Sequence, residues 1–120
     1  MLIMSLLEEL KMKDVDVEEA IDRFLGNVSL YEKMLIKFLD VMNDMAVDTS
    51  FDCNDYSDVI EKTHAIKGAA GNLSINPIYE AYTEIVSLLR AQQPEQAKLV
   101  LEKTLPVQND IIECIKKYSK

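Results

Sequence analysis

The 120-residue sequence has little of several things, and each scarcity removes a class of protein. It has one histidine and two cysteines, Cys53 and Cys114, in no CxxC or Cys–His cluster. That is too few ligands, in the wrong spacing, for a structural zinc site. The cysteines are expected to be free thiols, one in a loop and one on a helix. No run approaches the roughly 20 apolar residues that span a bilayer. The opening MLIMSLLEELKMKD is too short and too acidic for a secretory signal. It is expected to be a short amphipathic helix, and the protein to be cytoplasmic and to bind no membrane. There is no basic stripe, and a net charge of -8 repels nucleic acid. No glycine-rich nucleotide loop or catalytic-loop signature is present. The aspartates at 40, 44, 48, 52, 55 and 58 offer no register with an EF-hand's sixth-position glycine and twelfth-position glutamate, so they are read as helix caps and a solvated loop.

Glycine and proline are also scarce, at three each, and no strand alternation, internal repeat or low-complexity segment interrupts a helical periodicity. Asp16 and Glu19 have the residue types of a capping box. The helix they open carries Ala20, Ile21, Phe24 and Leu25 and ends at Gly26-Asn27. A second helix is predicted from about Ser29 to Val47, with Leu30, Met34, Leu35, Phe38, Val41, Met42 and Met45 at three- and four-residue spacing. The methionines are core filler, and Tyr31, Tyr79 and Tyr82 are expected as half-buried packing. Residues 48–54 are polar and read as a loop. A third helix runs over about 55–73 with Asn54 as its cap. Asn76-Pro77 gives a cap followed by proline in the first turn of a fourth, whose core face is Ile78, Ala81, Ile85, Leu88 and Leu89. Gln93-Pro94-Glu95 is a break. The fifth helix should be kinked or split at Pro106. Four helices of useful length with short links predict a single all-α domain, an antiparallel up-down four-helix bundle with short extra N-terminal helices. Its apolar stripes are wide enough for one core, which predicts a monomer.

The third helix holds an anomaly. It carries the only histidine, His64, and two of the three glycines, Gly68 and Gly71, in what should be a helix interior. Each glycine there costs about 1 kcal/mol relative to alanine. Close approach by another surface is a reason to keep them. At about 100° per residue, Tyr56, Val59, Ile60, Thr63, Ile66, Ala70 and Leu73 form the core face. His64, Gly68 and Gly71 fall in a narrow stripe beside it, with Lys67 at the border, where its stem packs while its ammonium reaches out. A histidine on a bare patch of helix with one cation beside it suits phosphoryl transfer. Imidazole titrates near neutral pH and is nucleophilic when neutral, lysine balances the spread negative charge, and in-line geometry tolerates no bulk at the acceptor.

The run His64-Ala65-Ile66-Lys67-Gly68-Ala69-Ala70-Gly71-Asn72-Leu73 resembles the signature of the histidine-containing phosphotransfer (HPt) family, whose core is His-x-x-Lys-Gly on a helix of a four-helix bundle. Arg23-Phe24-Leu25-Gly26-Asn27, followed by Leu30-Tyr31, Leu35 and Phe38, is also similar to the family's spacing, so the likeness spans about residues 15–90. The resemblance implies that His64 is the phosphoacceptor, that Lys67 helps hold the phosphoryl group, and that Gly68 and Gly71 let a partner dock. It implies receiver (response-regulator) domains as partners, including one attached to a hybrid sensor histidine kinase. The receiver would supply the phosphoaspartate, the magnesium ion and most catalytic groups, so the chain itself would be a carrier without cofactor rather than an enzyme. One position departs: the family often has glycine ten residues after the histidine, where this chain has Ser74. Two rival readings are a degenerate HPt-like bundle that binds a signalling partner without being phosphorylated, and an unrelated helical dimerisation module.

Overall fold

The computed structural model describes residues 5–119. These form six helices: α1 (Leu6–Lys11), α2 (Val17–Arg23), α3 (Val28–Asp44), α4 (Ser57–Asn72), α5 (Asn76–Arg90) and α6 (Pro94–Tyr118), with no strand among the described residues. The part of the predicted N-terminal helix that falls in residues 1–4 lies outside them.

Three helices start on a side-chain cap. Ser5 accepts from the Glu8 amide, Asp16 from the Glu19 amide and Asn27 from the Leu30 amide. The cap of α3 is therefore Asn27, two residues before the predicted start at Ser29, because its amide oxygen reaches the free N–H of Leu30. Asn54 does not cap α4. Its own N–H is held at 2.8 Å by the Asp52 carboxylate in a tight turn, and the helix begins after Tyr56. Asn76 lies inside α5 rather than capping it. Ile75 takes the cap position, with its carbonyl accepting from Tyr79 N–H at 2.9 Å. Pro106 does not split the last helix. It sits inside a continuous α6 of 25 residues, where Thr104, Gln108 and Ile111 still bury the face around it.

The most extensive pairings are α4 with α5 and α5 with α6; α3 packs on both α4 and α6, and α1 lies on α6. One core is shared by Leu10, Tyr31, Leu35, Phe38, Ile66, Ile78, Tyr82, Ile85, Leu89, Leu101, Ile111 and Ile115, all essentially inaccessible. Tyr31 and Tyr82 are fully buried rather than half-buried, and each pairs its hydroxyl: Tyr31 donates to the Leu73 carbonyl at 2.9 Å and Tyr82 to Gln108 Oε1. Burial pushes both phenols up, Tyr82 to about 12. Met42 is buried and Met34 and Met45 pack against the core, as filler should. Cys53 and Cys114 are free thiols.

Four helix ends, those of α1, α2, α4 and α5, follow one pattern. Residues 14, 25, 74 and 92 have φ of 65, 58, 55 and 61°. Just after each, an amide closes back onto the helix: Val15 to Leu10, Gly26 to Ile21, Ile75 to Ala70 and Gln93 to Leu88, at 2.8–3.1 Å. These are Schellman closures. The residue in the left-handed slot is aspartate, leucine, serine or glutamine, never glycine. Gly26, expected there, is one residue later, although its own φ of 81° is also left-handed.

The short α1 is tied to α6 by Glu9. Its carboxylate accepts from Lys117 Nζ at 2.7 and 3.0 Å, from Tyr118 Oη at 2.9 Å and from Cys114 Sγ at 3.2 Å. The Lys117 bond foremost, then those of Cys114 and Tyr118, pull its pKa from 4.5 to about 2. A depressed carboxylate stabilises fully above its unfolded pKa, and that contribution fades as pH falls through the folded value. Amide protection of Leu10 is therefore expected to be constant at pH 5 and above and to weaken between about 4.5 and about 2. Glu9→Gln should remove most of that acid limb. An unchanged limb in the variant would show that α1 is not held by this carboxylate.

Candidate functional site

α4 is a helix with two unlike sides. Val59, Thr63, Ile66 and Ala70 are buried, and Thr63 satisfies its hydroxyl on the Val59 carbonyl at 2.8 Å. Ile60 and Tyr56 are half-buried on the same side. The other side holds His64 at mid-helix. His64 and Gly68 are exposed, while Lys67 and Gly71 are half-buried. All four predicted residues thus fall on one helix within two turns. The Lys67 ammonium makes no ion pair or hydrogen bond among the described residues, whereas Lys62 on the same helix is bound to Asp58 at 3.3 Å. The His64 ring likewise has no hydrogen-bond partner among them.

The two glycines differ. A Cβ built on Gly68 would meet nothing within 4 Å, so that turn is bare. A Cβ on Gly71 would stand 2.8 Å from Cδ1 and Cε1 of Tyr79 on α5. Gly71 therefore has a packing role inside the chain, the close helix approach that a glycine in a helix interior also fits. The use of glycine is the telling point. Left-handed helix ends, where glycine would relieve strain of the order of 1 kcal/mol, are given to Asp14, Leu25, Ser74 and Gln92, while Gly68 lies inside a helix with open space over it. Gly68→Ala is accordingly expected to raise stability by up to about 1 kcal/mol, read by urea unfolding. A loss of stability would mean that the glycine serves the fold.

The C-terminal end of α4 is held from α2 and α3. Arg23 Nη1 donates to the carbonyls of Gly71 at 3.2 Å and Asn72 at 2.9 Å and to Ser74 Oγ at 3.0 Å, while its Nη2 pairs with Glu19 at 2.9 Å. Ser74 Oγ donates to Glu19 Oε1 at 2.8 Å. The Ser74 hydroxyl, then Arg23, hold the Glu19 carboxyl below the usual carboxylate range. With Tyr31 on the Leu73 carbonyl, two otherwise orphaned carbonyls of the helix end, Asn72 and Leu73, are bonded, and a cation sits where the helix dipole favours one. Ser74 is the position that departs from the HPt pattern. Its left-handed backbone, 1% exposed, is offset by a hydroxyl that bonds both Arg23 and Glu19, something glycine could not do.

Glu19, Arg23, Gly68, Gly71, Asn72, Asn76 and Tyr79 line a groove of about 540 Å³. The sequence offered Glu19 as a capping-box residue, Arg23 and Ser74 only through the HPt-like pattern and Tyr79 as half-buried packing, and gave none of them a part in this groove. The signals were slight: a salt-bridge spacing of four between Glu19 and Arg23, and a tyrosine eight residues past a helical glycine. Among the described residues no helix is long and apolar enough to cross a membrane. Comparison with protein-family models, with curated proteins and with solved structures finds no match to this chain.

Proposed function

We propose that this chain is a histidine-containing phosphotransfer protein of a multistep phosphorelay, which accepts a phosphoryl group on His64 from the aspartate of one receiver domain and passes it to another. The observation that carries the reading is the face of α4: an exposed mid-helix histidine, an uncommitted lysine three residues on, and a bare glycine turn at the fourth. In this reading α3 to α6 form the antiparallel up-down four-helix bundle, with α1 and α2 as the short additions, in one cytoplasmic monomeric domain.

The chemistry asked of the chain is small. A neutral imidazole nitrogen attacks phosphorus in line; the acyl-phosphate P–O bond of the receiver breaks as the P–N bond forms, and the carboxylate is the leaving group. Lys67 offsets charge on the transferring oxygens. Gly68 lets the acyl phosphate come within reach, because a near-attack geometry needs the two atoms about 3–3.5 Å apart. The magnesium ion belongs to the receiver, so the chain is a carrier rather than an enzyme. The test is incubation of the chain with an aspartyl-phosphorylated receiver and magnesium. Transfer of label to His64 supports the reading. Binding of the receiver without label points to the degenerate bundle. With ATP alone, the chain should stay unlabelled.

A further inference from the structure

We propose that Tyr79 is a specificity-determining residue for docking of the receiver, and that Gly71 acts through it by seating its ring. The inference rests on the phosphotransfer reading above and adds a residue from another helix to it.

Tyr79 differs from the other tyrosines of the α3–α5 core. Tyr31 and Tyr82 are fully buried with bonded hydroxyls, while Tyr79 is 37% exposed and its hydroxyl has no partner among the described residues. Its backbone is fixed in α5, and its ring is seated over Gly71. The Tyr79 N–H donates to the Ile75 carbonyl at 2.9 Å, and Thr83 Oγ1 donates to the Tyr79 carbonyl at 2.7 Å. The ring occupies the space that a side chain at 71 would fill, with two ring carbons 2.8 Å from that Cβ position. It lines the same groove as Gly68, which is one turn from His64.

A surface reaching His64 over the bare Gly68 turn therefore meets an aromatic ridge of set height at its border. A fixed tyrosine offers apolar area and a hydroxyl at little entropic cost, which is why such residues dominate docking energetics. The groove that the ridge lines does not include His64 itself. The ridge should govern which receivers bind, and how tightly, and leave the rate of the bound complex alone.

The probe is one aspartyl-phosphorylated receiver that labels wild type. Single-turnover transfer is followed against receiver concentration for wild type, Tyr79→Ala, Tyr79→Phe, Gly71→Ala and the Tyr79→Ala/Gly71→Ala pair. Tyr79→Ala is expected to raise the half-saturating concentration about tenfold with the saturated rate unchanged. Tyr79→Phe, which keeps the ring, should lose about threefold or less. Gly71→Ala displaces the ring, so it should weaken docking alone but add nothing to Tyr79→Ala. Losses that add in the double variant, an unchanged half-saturation in Tyr79→Ala, or a fall in saturated rate alone would each overturn the inference while leaving His64 labelled. No label on wild type from any receiver sinks the phosphotransfer reading itself, and this inference with it.

Discussion

His64→Gln is expected to abolish labelling of the chain by every aspartyl-phosphorylated receiver that labels wild type. Glutamine keeps polarity and approximate bulk but offers only an amide nitrogen, whose lone pair is delocalised and does not attack phosphorus. The substitution should change stability by no more than about 0.5 kcal/mol, because the ring is exposed and has no hydrogen-bond partner among the described residues. Circular dichroism and urea unfolding of the variant should overlay those of wild type, so that lost labelling is not lost folding. In wild type the product should be a phosphoramidate, labile in acid and stable in base, since the bond is to nitrogen. A serine phosphate ester or an aspartyl acyl phosphate would behave differently. Label retained on His64→Gln would move the acceptor elsewhere, and no transfer from any receiver of the source organism to the wild-type chain would favour the partner-binding bundle that takes no phosphate.

What was legible in the sequence follows from how local each signal is. The helical periodicity of Leu30 to Met45 and of Ile78 to Leu89 comes out as α3 and α5, since one buried face per helix writes itself at three- and four-residue spacing. The Asp16–Glu19 cap was legible because both partners lie within one turn. The ends of helices were less so. Asn54 and Asn76 have the right residue type for caps, yet the backbone enters α4 through the half-buried Tyr56 and α5 through Ile75, which is fully buried in the core. Of the four left-handed closures at Asp14, Leu25, Ser74 and Gln92, only that at Leu25 has a glycine beside it, and none has glycine in the slot itself. The one at Ser74 is held by tertiary contacts from Arg23 and Glu19, which link positions about 50 residues apart and leave no local pattern. The same limit applies at the site. His64, Lys67 and Gly68 are one helical segment and could be placed on one face from spacing alone, whereas the contact of Tyr79 with Gly71 depends on how α5 folds back on α4.

The second large effect is expected at Lys67. Lys67→Ala should slow transfer at saturating receiver by about tenfold to a hundredfold, below the roughly 10²–10³ that a fully enclosed charge-stabilising donor supplies, because this side chain is only half-buried and partly screened by water. The argument for a transition-state role is the contrast within α4. Lys62 already has a carboxylate at 3.3 Å, while Lys67, next in sequence to the bare Gly68 and three residues from His64, has none among the described residues. An ammonium left without a partner at the helix face is available to charge that arrives with the phosphoryl group and is greatest during transfer. The loss should therefore fall on the saturated rate, with the half-saturating receiver concentration changed by less than about threefold. Lys67→Arg should recover part of the rate, since it restores charge but not the compact ammonium geometry. If instead the half-saturating concentration rises and the saturated rate holds, Lys67 is a docking charge, and the stabilisation of the transferring phosphoryl group must come wholly from the receiver.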